Sequence, residues 1–258
     1  MGQISTFAPF ITESNLVEMQ GIDNKQVAEY YDKFWQHLNA VNQGGINSRH
    51  RYILYHLKKA GLRNDSNVLE IGCGLGMLTS FIGRNLSKGK ITGVDISPES
   101  IAYARKTYGK SNVAFEVSDM TDFKSSESYD FIVFPDVLEH IPIEFHSNIL
   151  ATIRKLITPE GTVLVNIPNP HALEYFHEYK KEALQIIDQP LHTYPFLKAF
   201  YDNDFYLTSL KTYSIFHVEP EYQSLILKPN KRFHSMNEKS RLSVFIKSAW
   251  LRIMNFFL

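Results

Sequence analysis

The stretch VLEIGCGLG, residues 68–76, carries an apolar run straight into three glycines spaced two apart, with an acid, Glu70, just ahead of them. A short apolar run closed by turn residues predicts a buried strand. Glycines at its carboxyl end let main chain approach a ligand where a Cβ would collide. In an open α/β sheet that end of the strand is also where ligands bind. The spacing separates two cofactor classes. A dinucleotide fingerprint G-x-G-x-x-G starting at Gly72 and Gly74 needs a third glycine at position 77, and residue 77 is Met77. The spacing present is E-x-G-x-G-x-G, from Glu70 through Gly72, Gly74 and Gly76.

Outward from this loop, strand-like and helix-like segments alternate. NVLEIG (67–72), KITGVDI (90–96), NVAFEV (112–117), DFIVFP (130–135) and GTVLVNIP (161–168) are short, apolar and rich in branched residues, as buried parallel strands are. Between them GMLTSFIGRNL, SPESIAYARKTY and IEFHSNILATIRKLI carry helix signals, with Ser97 placed as an N-cap and Pro98 at the first helical position. The pattern predicts an α/β fold, a doubly wound sheet with helices on both faces. FYLTSLKTYSI (205–215) and YQSLILKP (222–229) add two strands whose connection is too short for a crossover helix, so they are expected to be antiparallel at one edge.

Composition bounds the rest. With 258 residues, 44% of them hydrophobic, the chain can bury one sizeable core. Lys plus Arg and Asp plus Glu both total 27, so no overall field draws the protein to nucleic acid or to an anionic membrane. Cys73 is the only cysteine, which excludes an intrachain disulfide and fits a reducing compartment. The opening MGQISTFAPFITES lacks the basic-then-apolar order of a secretory signal, and no apolar run reaches the span of a membrane helix, so a cytoplasmic location is expected. Gly2 with Thr6 matches a short myristoylation pattern that arises often by chance.

Taken with the motifs that follow it, the glycine spacing resembles the class I S-adenosylmethionine-dependent methyltransferases, over roughly residues 48–228. The resemblance implies a Rossmann-like sheet of seven strands with a reversed last hairpin. It implies S-adenosyl-L-methionine as cofactor and S-adenosyl-L-homocysteine as product. Glu70, Gly72, Cys73, Gly74 and Gly76 match the first motif, whose backbone faces the methionine moiety. Asp95, with Ile96 beside it, matches the acid that grips both ribose hydroxyls. In SDM (118–120), Asp119 would accept from the adenine amino group and Met120 would contact the ring. FPDVLEHI (134–141), with Pro135 and Asp136, matches the segment between cofactor and substrate, and its LEH is similar to that of the quinone-biosynthetic O-methyltransferases. Physically, a carboxylate facing two adjacent hydroxyls gains strength from bidentate, charge-assisted bonds. Read alone, Asp95 is equally a helix-capping acid and Asp119 a turn residue. Cys73 reads as a small residue that fits the turn, since an activated methyl donor needs no covalent relay.

Methyl transfer from a sulfonium is an in-line displacement, so the protein's task is to position the acceptor and, for a hydroxyl, to take its proton. His140, Glu139 and His192 are the candidate catalytic residues: the first two follow the fourth strand, and His192 lies in DQPLHTY before the sixth. His140 suits a general base; the blander alternative is that it orders its loop. Asp136, Glu139, His140 and His192 could also hold a divalent metal, an arrangement similar to the ExxEH-plus-distant-His set of small-RNA 2'-O-methyltransferases. Asp136 in place of a glutamate shortens the reach, and no metal is the favoured reading.

The flanks complete the expectation. Residues 1–47 read as an N-terminal helical cap containing VAEYYDKFWQHL (27–38), residues 48–229 as the cofactor-binding domain with an aromatic lid insertion at 169–205, and residues 230–258 as a basic amphipathic extension. Tyr30 or Arg51 would approach the methionine carboxylate, and Arg49 cannot be told from Arg51 at this level. Beyond 230, Lys231, Arg232, Lys239, Arg241, Lys247 and Arg252 face one acid, Glu238, while Leu242, Phe245, Ile246, Ala249, Trp250, Ile253, Met254 and Phe257 recur at helical spacing. Packing on the enzyme's own surface or in a homodimer is favoured over peripheral membrane contact. The expected activity is methylation of a small-molecule or glycan acceptor at a hydroxyl oxygen. An N-methyltransferase and a non-catalytic cofactor-binding module are the rivals. A nucleic-acid partner is not expected, because the only basic stretch is the amphipathic tail.

Overall fold

The computed structural model describes residues 29, 30, 32, 45–121, 123–231 and 238–256. Helix α1 (Ser48–Lys59) precedes β1 (Asn67–Ile71); α2 (Met77–Gly83) leads to β2 (Lys90–Asp95), α3 (Pro98–Tyr108) to β3 (Val113–Val117), and a loop to β4 (Tyr129–Pro135). A 3-10 turn at Leu138–His140, α4 (Ile143–Leu156) and β5 (Ile157–Pro168) follow. Then come α5 (Pro170–Tyr179), a second 3-10 turn at Lys181–Ala183, α6 (Thr193–Asp202), β6 (Phe205–Tyr213), β7 (Tyr222–Pro229) and α7 (Arg241–Phe256).

The seven strands form one sheet in the order β3-β2-β1-β4-β5-β7-β6. β1 to β5 run parallel, and β7 is antiparallel to both neighbours. The short β6–β7 connection makes a hairpin, so the long segment after β5 must carry the chain past β7 to the outer edge. Strand order reverses between β1 and β4, and the glycine loop follows β1 at that switch point, where ligands bind in open α/β sheets. The expected seven-stranded, Rossmann-like architecture with its reversed hairpin is the one observed.

Continuous apolar runs are needed because both faces of the parallel part are covered. Along β4, Phe131 and Val133 join a cluster with Leu54 and Leu57 of α1, Ile82 of α2 and Ile101 of α3. Ile132 and Phe134 point the other way, to Ile149 and Ile153 of α4 and Phe196 and Phe200 of α6. Each such side chain contributes roughly 1.5–3 kcal/mol by leaving water. Helix α3 starts as predicted, with Ser97 Oγ accepting from Ser100 N and Pro98 next.

Some boundaries differ. β5 starts at Ile157, which pairs with Tyr129 ahead of a register shift; Pro159 and Gly161 look like turn residues and hide that extension. β6 ends at Tyr213 rather than at 215. Of the predicted helix at 27–38, the described residues Glu29, Tyr30 and Asp32 are helical, and the others lie outside the described residues, as do the start of the chain, Arg232 and Phe257.

Candidate active site

The loop after β1 is tied to β2. Gly72 N and Cys73 N both donate to Val94 O (2.8 and 2.9 Å), and Gly74 N donates to Asp95 Oδ2 (2.7 Å). The other Asp95 oxygen accepts from Ser97 N (3.0 Å). Asp95 therefore fastens the glycine loop and opens α3 at once, and burial pushes its carboxyl above the usual range. Gly72 has φ +74°, and a Cβ there would lie 2.4 Å from Val137 Cγ2. The loop thus packs against the segment after β4 as closely as a hydrogen side chain allows.

These ends enclose a cavity of about 270 Å³. Its lining brings together Glu70, Gly72, Cys73, Gly74, Asp95, Ile96, Asp119, Met120, Pro135, Asp136 and His140. Two non-glycine residues there, Met120 (φ 66°) and Asp136 (φ 54°), hold left-handed backbone, the kind of strain that gathers at ligand sites. Glu70 is buried with Oε2 unpartnered, and burial raises its pKa to about 8. An unpaired buried oxygen, a glycine cradle and carboxylates beside one guanidinium fit a ligand bearing an ammonium, a carboxylate and vicinal hydroxyls. S-adenosylmethionine has all three.

Asp136 is clamped from three sides. Its N–H donates to Asn166 O (2.7 Å), its Oδ1 accepts from Asn166 Nδ2 (3.1 Å), and its Oδ2 pairs with Arg49 (2.9 Å). Asn166 in turn accepts from the Tyr213 hydroxyl. Asp136 raises the Arg49 pKa, so the guanidinium stays charged. It is Arg49, not Arg51, that the structure brings to the cavity. Arg51 is exposed, with its guanidinium 5.9 Å from the Phe81 ring centroid.

A second cavity of about 280 Å³ adjoins the first through Arg49, Asp136, His140 and Gln185, which line both. His140 stands in this septum. Its Nδ1 lies 2.6 Å from Ile187 O and 3.1 Å from Asp188 Oδ1, and its Nε2 lies 3.1 Å from Gln185 Nε2. Burial disfavours its charge, but Glu139 and then Asp188 outweigh burial and raise its pKa to about 9. Glu139 lines the second cavity with neither carboxylate oxygen hydrogen-bonded, and burial raises its pKa to about 8.

Other candidates lie apart. Gly76 (φ 78°) precedes α2 and backs onto Phe115 rather than lining the cavity. Tyr30 sits beside Ile186 and Asp188, and burial raises its phenol pKa. His192 begins α6 and pairs with Glu174 (3.0 Å). The four side chains of the alternative metal set are therefore not gathered, and among the described residues no group of three His, Cys, Asp or Glu could hold a metal. Of the insertion's aromatics, Phe176 lines the second cavity, Phe196 and Phe200 enter the core, and Tyr175, Tyr179, Tyr194 and Tyr201 are exposed. Gln185, Asp188 and Asn166 were not singled out by sequence. The first two reach His140 across 45 or more residues, and no local pattern marks such a contact.

A family model described as a methyltransferase domain matches residues 62–237, more than half of the chain. The chain belongs to that family. With that match, its seven-stranded sheet is the fold of a class I S-adenosylmethionine-dependent methyltransferase domain. It is 28% identical over 170 residues to a ubiquinone biosynthesis O-methyltransferase of Neisseria meningitidis serogroup A, covering 60% of this chain and 67% of that protein. It is 30% identical over 106 residues to a probable (S)-tetrahydroprotoberberine N-methyltransferase of Papaver bracteatum, covering 40% of this chain and 28% of the other. In fold it is similar to magnesium protoporphyrin IX methyltransferase from Synechocystis with bound S-adenosylhomocysteine, with a TM-score of 0.64 at 18% identity over 81% of this chain and 100% of that one. The chain spans less than half the length of several curated relatives that it matches.

Proposed function

We propose that the protein methylates a hydroxyl oxygen of a small-molecule or glycan acceptor, with His140 as general base. The bound sulfonium supplies an activated methyl group and its own leaving group. The glycine loop and Glu70 hold the methionine end, Asp95 accepts from the ribose hydroxyls through its remaining lone pairs, and Asp119 and Met120 take the adenine. Arg49 is the guanidinium placed to meet a carboxylate. The acceptor occupies the second cavity.

The observation that carries the reading is the place of His140, at the wall shared by both cavities. With its Nδ1–H held by Ile187 O and Asp188, the Nε2 lone pair faces the Gln185 amide. An acceptor hydroxyl that displaces Gln185 meets that lone pair. Asp188 acts as a positioning residue that fixes the tautomer. Because His140 must be neutral to take a proton, the rate is expected to rise with pH up to about 9.

An amine acceptor is the second reading, favoured by Asp188 and Glu221 on the second cavity, which suit an ammonium. Label transfer from the methyl donor to panels of sugars, phenols and amines separates the two. His140→Ala should slow hydroxyl transfer about 100-fold or more while calorimetry shows unchanged cofactor binding; unchanged turnover would remove His140 from the mechanism. Asp95→Ala should abolish that binding. Saturable binding with no product from any acceptor would mark a non-catalytic module.

A further inference from the structure

We infer that α7 is a membrane-surface helix that docks on anionic lipid headgroups. Leu242, Phe245, Ile246, Ala249 and Trp250 fall on one side of it, at i, i+3, i+4, i+7 and i+8. The four large ones are 67%, 68%, 58% and 57% exposed, so the packing on the enzyme's own surface expected from sequence is not what the structure shows. A 16-residue helix standing in water is marginal without an interface to bury such a stripe.

Charge identifies the occupant. Lys239, Arg241, Lys247 and Arg252 carry no Asp or Glu among them, although the whole chain is neutral. At 100° per residue, Arg241 and Arg252 border one edge of the apolar stripe and Lys247 lies beyond the other. Long cationic side chains in that position reach headgroups while the stripe enters the acyl boundary. The first turn adds to this. Ser240 Oγ caps the helix by accepting from Ser243 N (3.2 Å), and Arg241 sits against the positive end of the helix dipole with no acid in that turn. Cations there oppose the dipole in water and suit an anionic surface. Among the described residues no helix is long and apolar enough to cross a membrane.

Vesicle flotation tests this with the full chain. The protein should float with phosphatidylcholine vesicles containing phosphatidylglycerol, be released by salt, and stay behind with phosphatidylcholine alone. Phe245→Glu with Trp250→Glu should lower partitioning at least about tenfold. Replacing Lys239, Lys247 and Arg252 by Gln, with the stripe intact, should cost about fivefold per cation. Unchanged heat of S-adenosylhomocysteine binding shows that both variants are folded. No flotation, equal flotation with the two lipids, or a dimer in sedimentation that the Phe245/Trp250 variant splits would each overturn the inference, the last in favour of a second copy of the chain.

Discussion

Glu139 has two carboxylate oxygens buried without a hydrogen-bond partner, and a buried charge in that state is costly. Its pKa, raised from 4.5 to about 8, leaves it protonated at neutral pH. The stability this permits is full below 4.5 and drains away as pH rises through about 8. His140 slopes the same way: raised from 6.5 to about 9, it contributes most below 6.5 and loses that as pH passes about 9. Glu139→Gln removes the first titration and weakens the second, since Glu139 is the largest group raising His140. Thermal melts from pH 5 to 9 should therefore show the wild type losing stability more steeply on the alkaline side than the variant. The rise of methyl transfer with pH should also be complete below pH 9. Parallel melting curves would mean that Glu139 does not titrate in the folded protein.

At the scale of elements, the glycine loop and the segment after β4 act as one unit. Gly72→Ala places a methyl against Val137 at a left-handed φ, which should cost about 1–3 kcal/mol of stability and weaken cofactor binding by more than tenfold. Val137→Ala in the same chain should recover part of both losses, a coupling that a double-mutant cycle reads directly. Wild-type binding by Gly72→Ala alone would show that close approach is not needed. The loop was legible because its spacing is local, and the parallel strands because burial on both faces demands unbroken apolar runs. What the loop packs on was not legible. Val137 lies in the irregular link between β4 and the 3-10 turn, without periodicity, Asn166 is a polar residue within the apolar run VLVNIP of β5, and Asp188 shares DQPLHTY with His192, the more conspicuous residue, which pairs with Glu174. Arg49 and Arg51 lie two apart on α1, so they point to different sides, and only packing tells which side meets the cavity.

At the scale of the whole molecule, the candidate site draws on the ends of β1, β2 and β4 and on α1, so ligand binding must resist global unfolding. S-adenosylhomocysteine at about 100 times its Kd should add about 2.7 kcal/mol, or roughly 5–10 °C for a domain of this size. The Arg49–Asp136 pair ties that gain to the fold. Arg49→Ala leaves Asp136 buried beside Asn166 without its cation. Removing one partner of a buried pair costs about 3–5 kcal/mol, and because the Arg49 side chain keeps 32% of its exposure, about 2–3 kcal/mol is expected. The variant should melt lower without ligand and also gain less from S-adenosylhomocysteine, since the guanidinium proposed to meet the ligand carboxylate is gone. Arg51→Ala removes a surface side chain resting on Phe81 and should stay within about 0.5 kcal/mol of wild type, with the full ligand-induced rise. A reversed result, with Arg51→Ala losing the rise and Arg49→Ala keeping it, would place the carboxylate on the outer face of α1 and remove Arg49 from the site.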